Sequence, residues 1–190
     1  MISSCDTCQI FRNKQCKETL IQHEVPSEAW VKVGTDLFTL FNKLFLVIVD
    51  YTSKYFEVVQ LPNGKASTVI NFTKGIFSRH GISAEVVSDN GPQYSSFEFK
   101  RFARQWDFKH TTSSPKFPQS NSLVERTIQT IKRTFRKCKS DGSDPHLALL
   151  ALRTSVNSAN SSAAYSLMKR NLRTLIPTVN STKSQYDKHI

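Results

Sequence analysis

The chain has 190 residues, which is enough for one domain with a hydrophobic core and too few for two domains of usual size. Hydrophobic residues make up 38% of the sequence and thirteen residues are Phe, which excludes a disordered chain. The net charge of +11 favours a polyanionic partner, most often nucleic acid, and the longest apolar run, residues 44–49, is too short to cross a membrane. Three of the four Cys crowd near the N-terminus, which favours an intracellular protein without a disulfide framework.

Three strands joined by short turns are predicted at the start of the domain. Residues 31–38 alternate apolar and polar side chains, the pattern of a half-buried strand. Residues 44–49 are all apolar, as in a central strand that is covered on both faces. A third strand at residues 55–61 ends at Pro62-Asn63-Gly64, and the short connections predict an antiparallel meander.

A helix and a fourth strand follow the meander. Ser67 is predicted to cap the helix, and Gly81 supplies its C-terminal stop. Residues 85–88 form a short strand that runs into a strong turn signal at residues 89–92.

The next predicted elements are a helix and the fifth strand. The capping-box spacing of Ser95 and Glu98 marks the start of the helix. Its core-facing residues recur at helical spacing and are Phe99, Phe102, Ala103 and Trp106. Residues 108–112 form the strand, and a loop with two prolines follows it.

Two helices are predicted in the last part of the domain. A long helix spans about residues 121–139, and its buried stripe consists of Val124, Ile128, Ile131, Phe135 and Cys138. A second helix starts at Asp144-Pro145, with Pro at its first position. Its predicted inner face consists of His146, Leu147, Leu150 and Ala151.

The order of these elements indicates the fold class. A meander followed by alternating helices and strands predicts an α/β fold of ribonuclease-H-like topology. It has a mixed five-stranded sheet, an antiparallel meander plus parallel strands, with helices on both faces. Residues 1–29 are a polar lead-in, residues 30–157 are the core, and residues 158–190 are a C-terminal extension of the core and a tail.

Three acidic residues stand where carboxylates are able to converge. Asp36 lies on the first strand, on the face opposite Val33 and Leu37, Asp89 lies at the exit of the fourth strand, and Glu125 lies in the first turn of the long helix. Since the first and fourth strands are neighbours in the predicted sheet, all three carboxylates are expected at one crevice. Crowded carboxylates repel one another, and a pair of Mg²⁺ or Mn²⁺ ions resolves this repulsion and supports phosphodiester displacement.

Each of these residues also has a purely structural interpretation. Asp89, in a Ser-Asp-Asn-Gly sequence, is a usual turn former. Ser122 and Glu125 have the spacing of a capping box, and Asp36 also suits a solvent-facing position near a strand end. Asp50, at the end of the most buried strand, is an alternative metal ligand, although its position favours a cap for the turn that follows.

Five segments of the sequence carry a resemblance to a known family. They are residues 5–9 (Cys-Asp-Thr-Cys-Gln), 33–38 (Val-Gly-Thr-Asp-Leu-Phe), 47–55, 88–94 (Ser-Asp-Asn-Gly-Pro-Gln-Tyr) and 118–126. Thirty-five residues lie between Asp89 and Glu125. These motifs and this spacing resemble the integrase catalytic core of gypsy-class LTR retrotransposons, part of the DDE-type retroviral integrase superfamily, over residues 5–178.

The resemblance implies an enzyme that trims the 3′ ends of element DNA and joins them to target DNA. Such strand transfer depends on a metal and proceeds without a covalent enzyme intermediate. Asp36, Asp89 and Glu125 match the family's three ligands for Mg²⁺ or Mn²⁺. The resemblance also implies DNA as the partner, a homo-oligomer formed through the core, and a location in the nucleus.

The cysteines near the N-terminus form half of a zinc site. Cys5 and Cys8 have the C-x-x-C spacing, and the resemblance identifies residues 1–29 as the remnant of a zinc-binding module with its linker. The paired His that precede these Cys in the family and the family's C-terminal DNA-binding module are both missing, so we expect a core without its flanks. Cys16 and His23 are alternative further ligands, but their loose spacing disfavours Zn²⁺ binding.

A row of polar and basic side chains continues along the long helix from Glu125. Donors in such a row are suited to DNA phosphates, although a solvated helix face is the structural alternative. The approach loop before the helix adds two polar residues to the same group. The candidates for DNA contacts are Gln119, Asn121, Gln129, Lys132, Arg133 and Arg136.

Two other functions fit the same sequence. A degenerate or domesticated integrase-derived module would bind nucleic acid without catalysis, and its binding would depend on salt but not on the carboxylates. A nuclease of ribonuclease-H type would instead cleave RNA–DNA hybrids. We expect a DNA-joining core as the primary function.

Overall fold

The computed structural model describes residues 26–113, 122–156 and 160–175. Their strands pair in the order β3-β2-β1-β4-β5, with β1–β2 and β2–β3 antiparallel and β1–β4 and β4–β5 parallel. The predicted mixed five-stranded sheet is therefore confirmed. The strands are β1 (Lys32–Leu40), β2 (Lys43–Asp50), β3 (Phe56–Leu61), β4 (Glu85–Ser88) and β5 (Lys109–Thr112).

The helices of the described residues cover both faces of this sheet. They are α1 (Ala66–His80), α2 (Pro92–Ser95), α3 (Phe97–Gln105), α4 (Ser122–Asp141), α5 (Pro145–Thr154) and α6 (Ala163–Met168). One core cluster joins the sheet to α1, α3 and α6, and a second joins it to α4 and α5. Burial of these two apolar faces is the main stabilising contribution. Two short helices, α2 and α6, were not predicted, because a helix of one or two turns has too few residues to show a periodic pattern.

The long helix α4 buries the stripe that was predicted for it. Val124, Ile128, Ile131 and Cys138 are buried, and Phe135 packs against the same cluster. The Cys138 thiol is free, as expected of a small core residue.

Both predicted helix caps differ from the observed ones. α1 begins at Ala66 and its N-cap position is Lys65, without a side-chain cap, so the assignment of Ser67 is wrong. The cap of α3 is Ser96, which accepts a hydrogen bond from Phe99 N at 3.1 Å, and not Ser95. Ser95 is already the last residue of α2, so it is not available for this role.

α5 faces the sheet with a different side from the predicted one. Leu149 is buried and Leu152 packs beside it, whereas Leu147 is 44% exposed. Arg153 stabilises this orientation, because its guanidinium donates to the Phe56 carbonyl and to the Glu57 carboxylate. These long-range bonds are not visible in a local pattern.

The predicted domain limits are partly within the described residues. Trp30, at the start of the predicted core, is buried and donates its indole N–H to the Gly81 carbonyl at 2.8 Å. Past residue 158, Ala164 is buried in the first core cluster and Leu172 packs against it. Residues 1–25 and 176–190 lie outside the described residues. In the described ranges, no helix is both long and apolar enough to cross a bilayer.

A candidate metal site beside the end of strand β4

Asp36 lies on β1, and Asp89 directly follows β4, the parallel neighbour of β1. The register of β1 and β4 pairs Gly34 with Val87, and each aspartate follows two residues later. Neighbouring strands are about 5 Å apart, so the register continued past the end of β4 places Asp89 beside Asp36, in the middle of β1. Both side chains are partly buried there.

The turn after β4 holds Asp89 through a local hydrogen bond. Gly91 N donates to Asp89 Oδ1 at 2.9 Å, an Asx turn. A Cβ on Gly91 would lie 3.0 Å from the same oxygen and would crowd the side chain of Gln93. Since the φ of Gly91 is −53°, the glycine serves to leave room beside the carboxylate and not to adopt a left-handed conformation.

The first turn of α4, which contains Glu125, packs directly on β1. A Cβ on Gly34 would lie 2.5 Å from Val124 Cγ2 and 3.1 Å from Tyr51 Cε2, so the contact requires glycine. Val124 is fully buried in this contact, and Glu125 next to it is exposed. Positions 34 and 36 share one face of β1, so α4 brings Glu125 towards Asp36.

The bounds of α4 bear on the capping interpretation of Glu125. Ser122 is the first residue of α4 that the structure describes, and the residue before it lies outside the described part of the chain, so the capping interpretation of Glu125 stays an alternative prediction. The Ser122 carbonyl accepts a hydrogen bond from Arg126 Nε at 3.1 Å.

The ionisation of Asp36 reflects the neighbouring charges. Burial raises the pKa of Asp36 from 3.8 to about 6. The Leu37 N–H, which donates to Asp36 Oδ1 at 2.7 Å, lowers this pKa, whereas the charges of Asp89 and Glu125 raise it and the Lys132 ammonium lowers it. Coulombic effects decrease with distance, so these groups share one electrostatic environment.

The three carboxylates are neighbours without forming a closed ligand cage. Over residues 26–113, 122–156 and 160–175, no three His, Cys, Asp or Glu side chains are arranged to surround a cation. Asp36 and Asp89 each use one oxygen for a backbone N–H, and exposed Glu125 is the least constrained of the three. Their oxygen donors are those that Mg²⁺ and Mn²⁺ prefer, and their mutual repulsion favours a cation, so the donor set suits these ions.

Asp50 is a structural residue of the turn after β2. Its buried carboxylate accepts hydrogen bonds from Trp30 N at 3.0 Å, Ser53 N at 2.8 Å and Ser53 Oγ at 2.5 Å. Its carbonyl accepts from Lys54 N at 3.1 Å. The predicted turn cap is confirmed, and both carboxylate oxygens are engaged in it.

A shallow depression on α4 gathers four of the predicted DNA-contacting side chains. Lys132 Nζ lies 5.5 Å from the centre of the Phe38 ring. Phe38 is on the same face of β1 as Asp36. The depression therefore begins near the carboxylates and extends along the helix. Its lining residues, the α4 basic row, are Gln129, Lys132, Arg133, Arg136, Lys137 and Ser140. The last two were not predicted, although they follow Arg133 and Arg136 at a spacing of four residues.

Several predicted site residues lie outside the part of the chain that the structure describes, and their roles stay predictions. They are Gln119, Asn121, Cys5, Cys8, Cys16 and His23.

Two hydroxyl residues behind the aspartates were not predicted to contribute to the site. Thr35 and Ser88 immediately precede the two aspartates and are buried. They hydrogen bond to the side chains of Tyr94 and His110. The available signal was a hydroxyl residue before each carboxylate, which strand alternation directs to the opposite face of the sheet.

The raised pKa of Asp36 predicts a gain in stability for Asp36→Asn in metal-free buffer. The folded state binds this proton more tightly than the unfolded state, so ionised Asp36 costs stability above pH 6, and the cost disappears as the pH falls towards 4. Water screens the partly exposed side chain, so we expect a gain of about 1 kcal/mol at pH 8. Urea unfolding with EDTA at pH 8 and pH 4.5 measures it. Asp107→Asn, on an exposed turn, is the control, and an equal gain at both pH values would contradict the prediction.

Known sequences similar to this chain support the resemblance to integrase cores. A model of the family described as integrase core domain matches residues 6–118, which include Asp36 and Asp89 and end before Glu125. An uncharacterized protein of Caenorhabditis elegans, K02A2.6, is 33% identical over 144 residues, 75% of this chain and 11% of that protein. The transposon Tf2-3 polyprotein of Schizosaccharomyces pombe is 30% identical over 147 residues, 71% of this chain and 11% of the polyprotein. The chain thus spans about a tenth of the length of these relatives.

Solved structures share the fold. The catalytic core domain of BIV integrase superposes with a TM-score of 0.65 and 20% identity, over 74% of this chain and 95% of that domain. The HTLV-2 integrase catalytic core domain, determined in complex with magnesium, gives a TM-score of 0.63 and 21% identity, over 74% and 98%. These likenesses confirm the ribonuclease-H-like fold. Together with the match over residues 6–118, they establish that the chain belongs to the integrase core domain family.

Proposed function

We propose that this chain is the catalytic core of a retroelement integrase, which trims the 3′ ends of element DNA and joins them to target DNA. The observation that carries the proposal is the raised pKa of Asp36, about 6, to which burial contributes most and to which the charges of Asp89 and Glu125 also contribute. Clustered carboxylates with perturbed ionisation are typical of functional sites. The HTLV-2 integrase catalytic core domain, which has the same fold, was determined in complex with magnesium.

In this proposal the three carboxylates hold a pair of Mg²⁺ or Mn²⁺ ions. Two such ions supply activation of the attacking oxygen and charge neutralisation at the leaving oxygen of a phosphodiester. The protein contributes position: the sheet and local backbone bonds hold Asp36 and Asp89. Glu125 stands in the first turn of α4, where the helix dipole favours a negative charge. Water or a DNA 3′-hydroxyl is the nucleophile, so no side chain is modified.

The α4 basic row is proposed to bind DNA phosphates beside the carboxylates. It joins the predicted residues Gln129, Lys132, Arg133 and Arg136 in one depression, and the net charge of +11 favours a polyanion. Gln119 and Asn121 are proposed to extend these contacts on the preceding loop. Association into a homo-oligomer and a location in the nucleus belong to the same proposal.

Removal of two cations from the α4 basic row is expected to reduce the salt dependence of DNA binding. Each phosphate contact contributes about 0.9 to the slope of log K against log salt concentration. Lys132→Ala and Arg136→Ala should each lower the slope by about one, with similar losses on different DNA sequences. Fluorescence anisotropy at several salt concentrations measures the slope. Arg104→Ala on α3 is the matched control, and a slope unchanged from native in both α4 variants would contradict DNA binding by this row.

A branched DNA substrate tests the proposed chemistry directly. An integrase core resolves such a branch by reversing strand transfer, and we expect the 190-residue chain to do so with Mn²⁺ and not with EDTA. An RNA–DNA hybrid of equal length is the parallel substrate. Preferred cleavage of the hybrid would favour a ribonuclease-H-type nuclease over an integrase.

A non-catalytic DNA-binding module would give a third set of results in these experiments. In that case the protein binds DNA in a salt-dependent manner, resolves no branched substrate, and keeps its affinity when the carboxylates are replaced. Joining of two DNA ends by a longer chain that contains these 190 residues, with the same dependence on Asp36, Asp89 and Glu125, would support the full proposal.

A further inference from the structure

Two buried hydrogen-bond links lie behind Asp36 and Asp89, on the sheet face opposite the candidate metal site. Thr35 is 2% exposed and Ser88 is fully buried. Because side chains alternate along a strand, each hydroxyl points into the core where the next residue points to the site. The partners of these two hydroxyls connect the middle of β1 and the end of β4 to the surrounding core.

The first link runs from Thr35 to Tyr94. Thr35 Oγ1 donates to the Val47 carbonyl at 3.0 Å, which uses its single proton. The Tyr94 hydroxyl, 3.0 Å away, therefore donates to Thr35 Oγ1. Tyr94 is fully buried and belongs to α2, the short helix directly after the Asp89 turn. The link ties the strand that carries Asp36 to the segment that follows Asp89.

The second link runs from Ser88 to His110 on β5. Ser88 Oγ donates to the Asp89 carbonyl at 2.7 Å, so it accepts from His110 Nε2 at 2.8 Å. The ring of His110 packs edge-on against Phe99, with centroids 4.8 Å apart, and lies 6.4 Å from the ring of Tyr94. The two links thus meet in one aromatic cluster beneath the site.

We propose that Tyr94 and His110 are positioning residues, which set the placement of Asp36 and Asp89 relative to each other for metal binding. The inference rests on the proposed function, because it concerns the orientation of the proposed metal ligands. Loss of either donor leaves a buried hydroxyl oxygen that accepts no hydrogen bond and removes one link that holds the backbone next to an aspartate. Groups that orient metal ligands through hydrogen bonds typically change metal affinity by about 10- to 100-fold.

Mn²⁺ binding distinguishes positioning from a general contribution to folding. The binding of Mn²⁺ to the 190-residue chain is followed by the electron paramagnetic resonance signal of free Mn²⁺, and urea unfolding is measured in parallel. Tyr94→Phe and His110→Leu each remove one donor. His110→Gln keeps an N–H near the Nε2 position. Thr111→Val is the matched control on β5, since it removes a 2.6 Å bond to Glu85 that does not lead to an aspartate.

We expect Tyr94→Phe and His110→Leu to weaken Mn²⁺ binding about tenfold while the chain stays folded. His110→Gln should recover most of the affinity, and Thr111→Val should bind as the native protein does. Native affinity in folded Tyr94→Phe and His110→Leu would overturn the inference, as would an equal loss in Thr111→Val.

Asp89→Asn in the same titration separates the two proposals. If it binds Mn²⁺ as tightly as the native protein, the metal site itself is wrong and the inference falls with it. If it loses binding while Tyr94→Phe and His110→Leu keep it, only the positioning role fails.

Discussion

Asp89→Asn is expected to lower Mn²⁺-dependent resolution of branched DNA on the order of a thousandfold, or about 4 kcal/mol of transition-state stabilisation. Asn keeps the Oδ1 that accepts the Gly91 N–H at 2.9 Å, so the turn after β4 should persist. What is lost is the negative charge that holds a cation. The same charge raises the pKa of Asp36, so that pKa is expected to fall in the variant.

Single-turnover rates on the branched substrate measure this loss, with Mn²⁺ in excess to detect rescue of weak binding. Asp107→Asn is the control, because Asp107 is exposed on a turn at a φ of 52°, a conformation that Asn adopts readily. It should retain the native rate. A native rate in folded Asp89→Asn would remove this residue from the site and, with it, the main support for metal-dependent chemistry.

Gly34→Ala is expected to destabilise the protein by about 2 kcal/mol and to weaken Mn²⁺ binding, although Gly34 carries no functional group. The new Cβ would lie 2.5 Å from Val124 Cγ2, and Val124 is buried and β-branched, so its side chain has little freedom to move away. The first turn of α4 must then shift from β1. Because Glu125 follows Val124 directly, the same shift displaces the carboxylate.

A double-mutant cycle with Val124→Ala tests the steric cause. Val124→Ala alone leaves a cavity and should cost about 1–3 kcal/mol, but in the Gly34→Ala protein the added methyl occupies part of this space. We expect the double variant to be more stable than the sum of the single effects by about 1 kcal/mol, measured by urea unfolding.

The matched control for this cycle is Gly75→Ala, in the interior of α1. No atom lies within 4 Å of a Cβ at that position, so a small gain in stability, about 0.5–1 kcal/mol, is expected. Additive effects at positions 34 and 124, with unchanged Mn²⁺ binding, would mean that the close contact of α4 with β1 does not position Glu125.

Strand positions were predictable because each strand carries its own burial pattern. The apolar run at residues 44–49 lies in β2, which is buried on both faces, and residues 32–38 of the alternating segment lie in β1. The half-buried pattern predicted for that segment is wrong at residues 32–35, which are all buried, because the two core clusters cover both faces of the sheet there. Short turns join β1, β2 and β3, and connections of this length are too short for parallel pairing, so the antiparallel pairing was predictable. Asp50 was likewise recognised as a turn residue from its place between a buried strand and Tyr51-Thr52-Ser53-Lys54.

Other features depended on contacts between distant segments and were predicted wrongly. The cap of α3 is Ser96 and not the predicted Ser95, because α2 occupies residues 92–95. The inner face of α5 is stabilised by bonds from Arg153 to β3. Tyr94 and His110 did not stand out, since an aromatic residue and an imidazole at those positions resemble ordinary core residues until their hydroxyl partners are known.

Sequence alone determined the sheet and the net positive charge and predicted the three carboxylates, because periodicity, motif spacing and composition are local or additive properties. Tertiary structure decided whether the carboxylates share one environment. The parallel register of Gly34 with Val87 aligns Asp36 and Asp89, and the absence of a side chain at Gly34 lets Val124 pack on β1. The charges of Asp89 and Glu125 both raise the pKa of Asp36. Both depend on close packing between segments far apart in the chain, which no local pattern encodes.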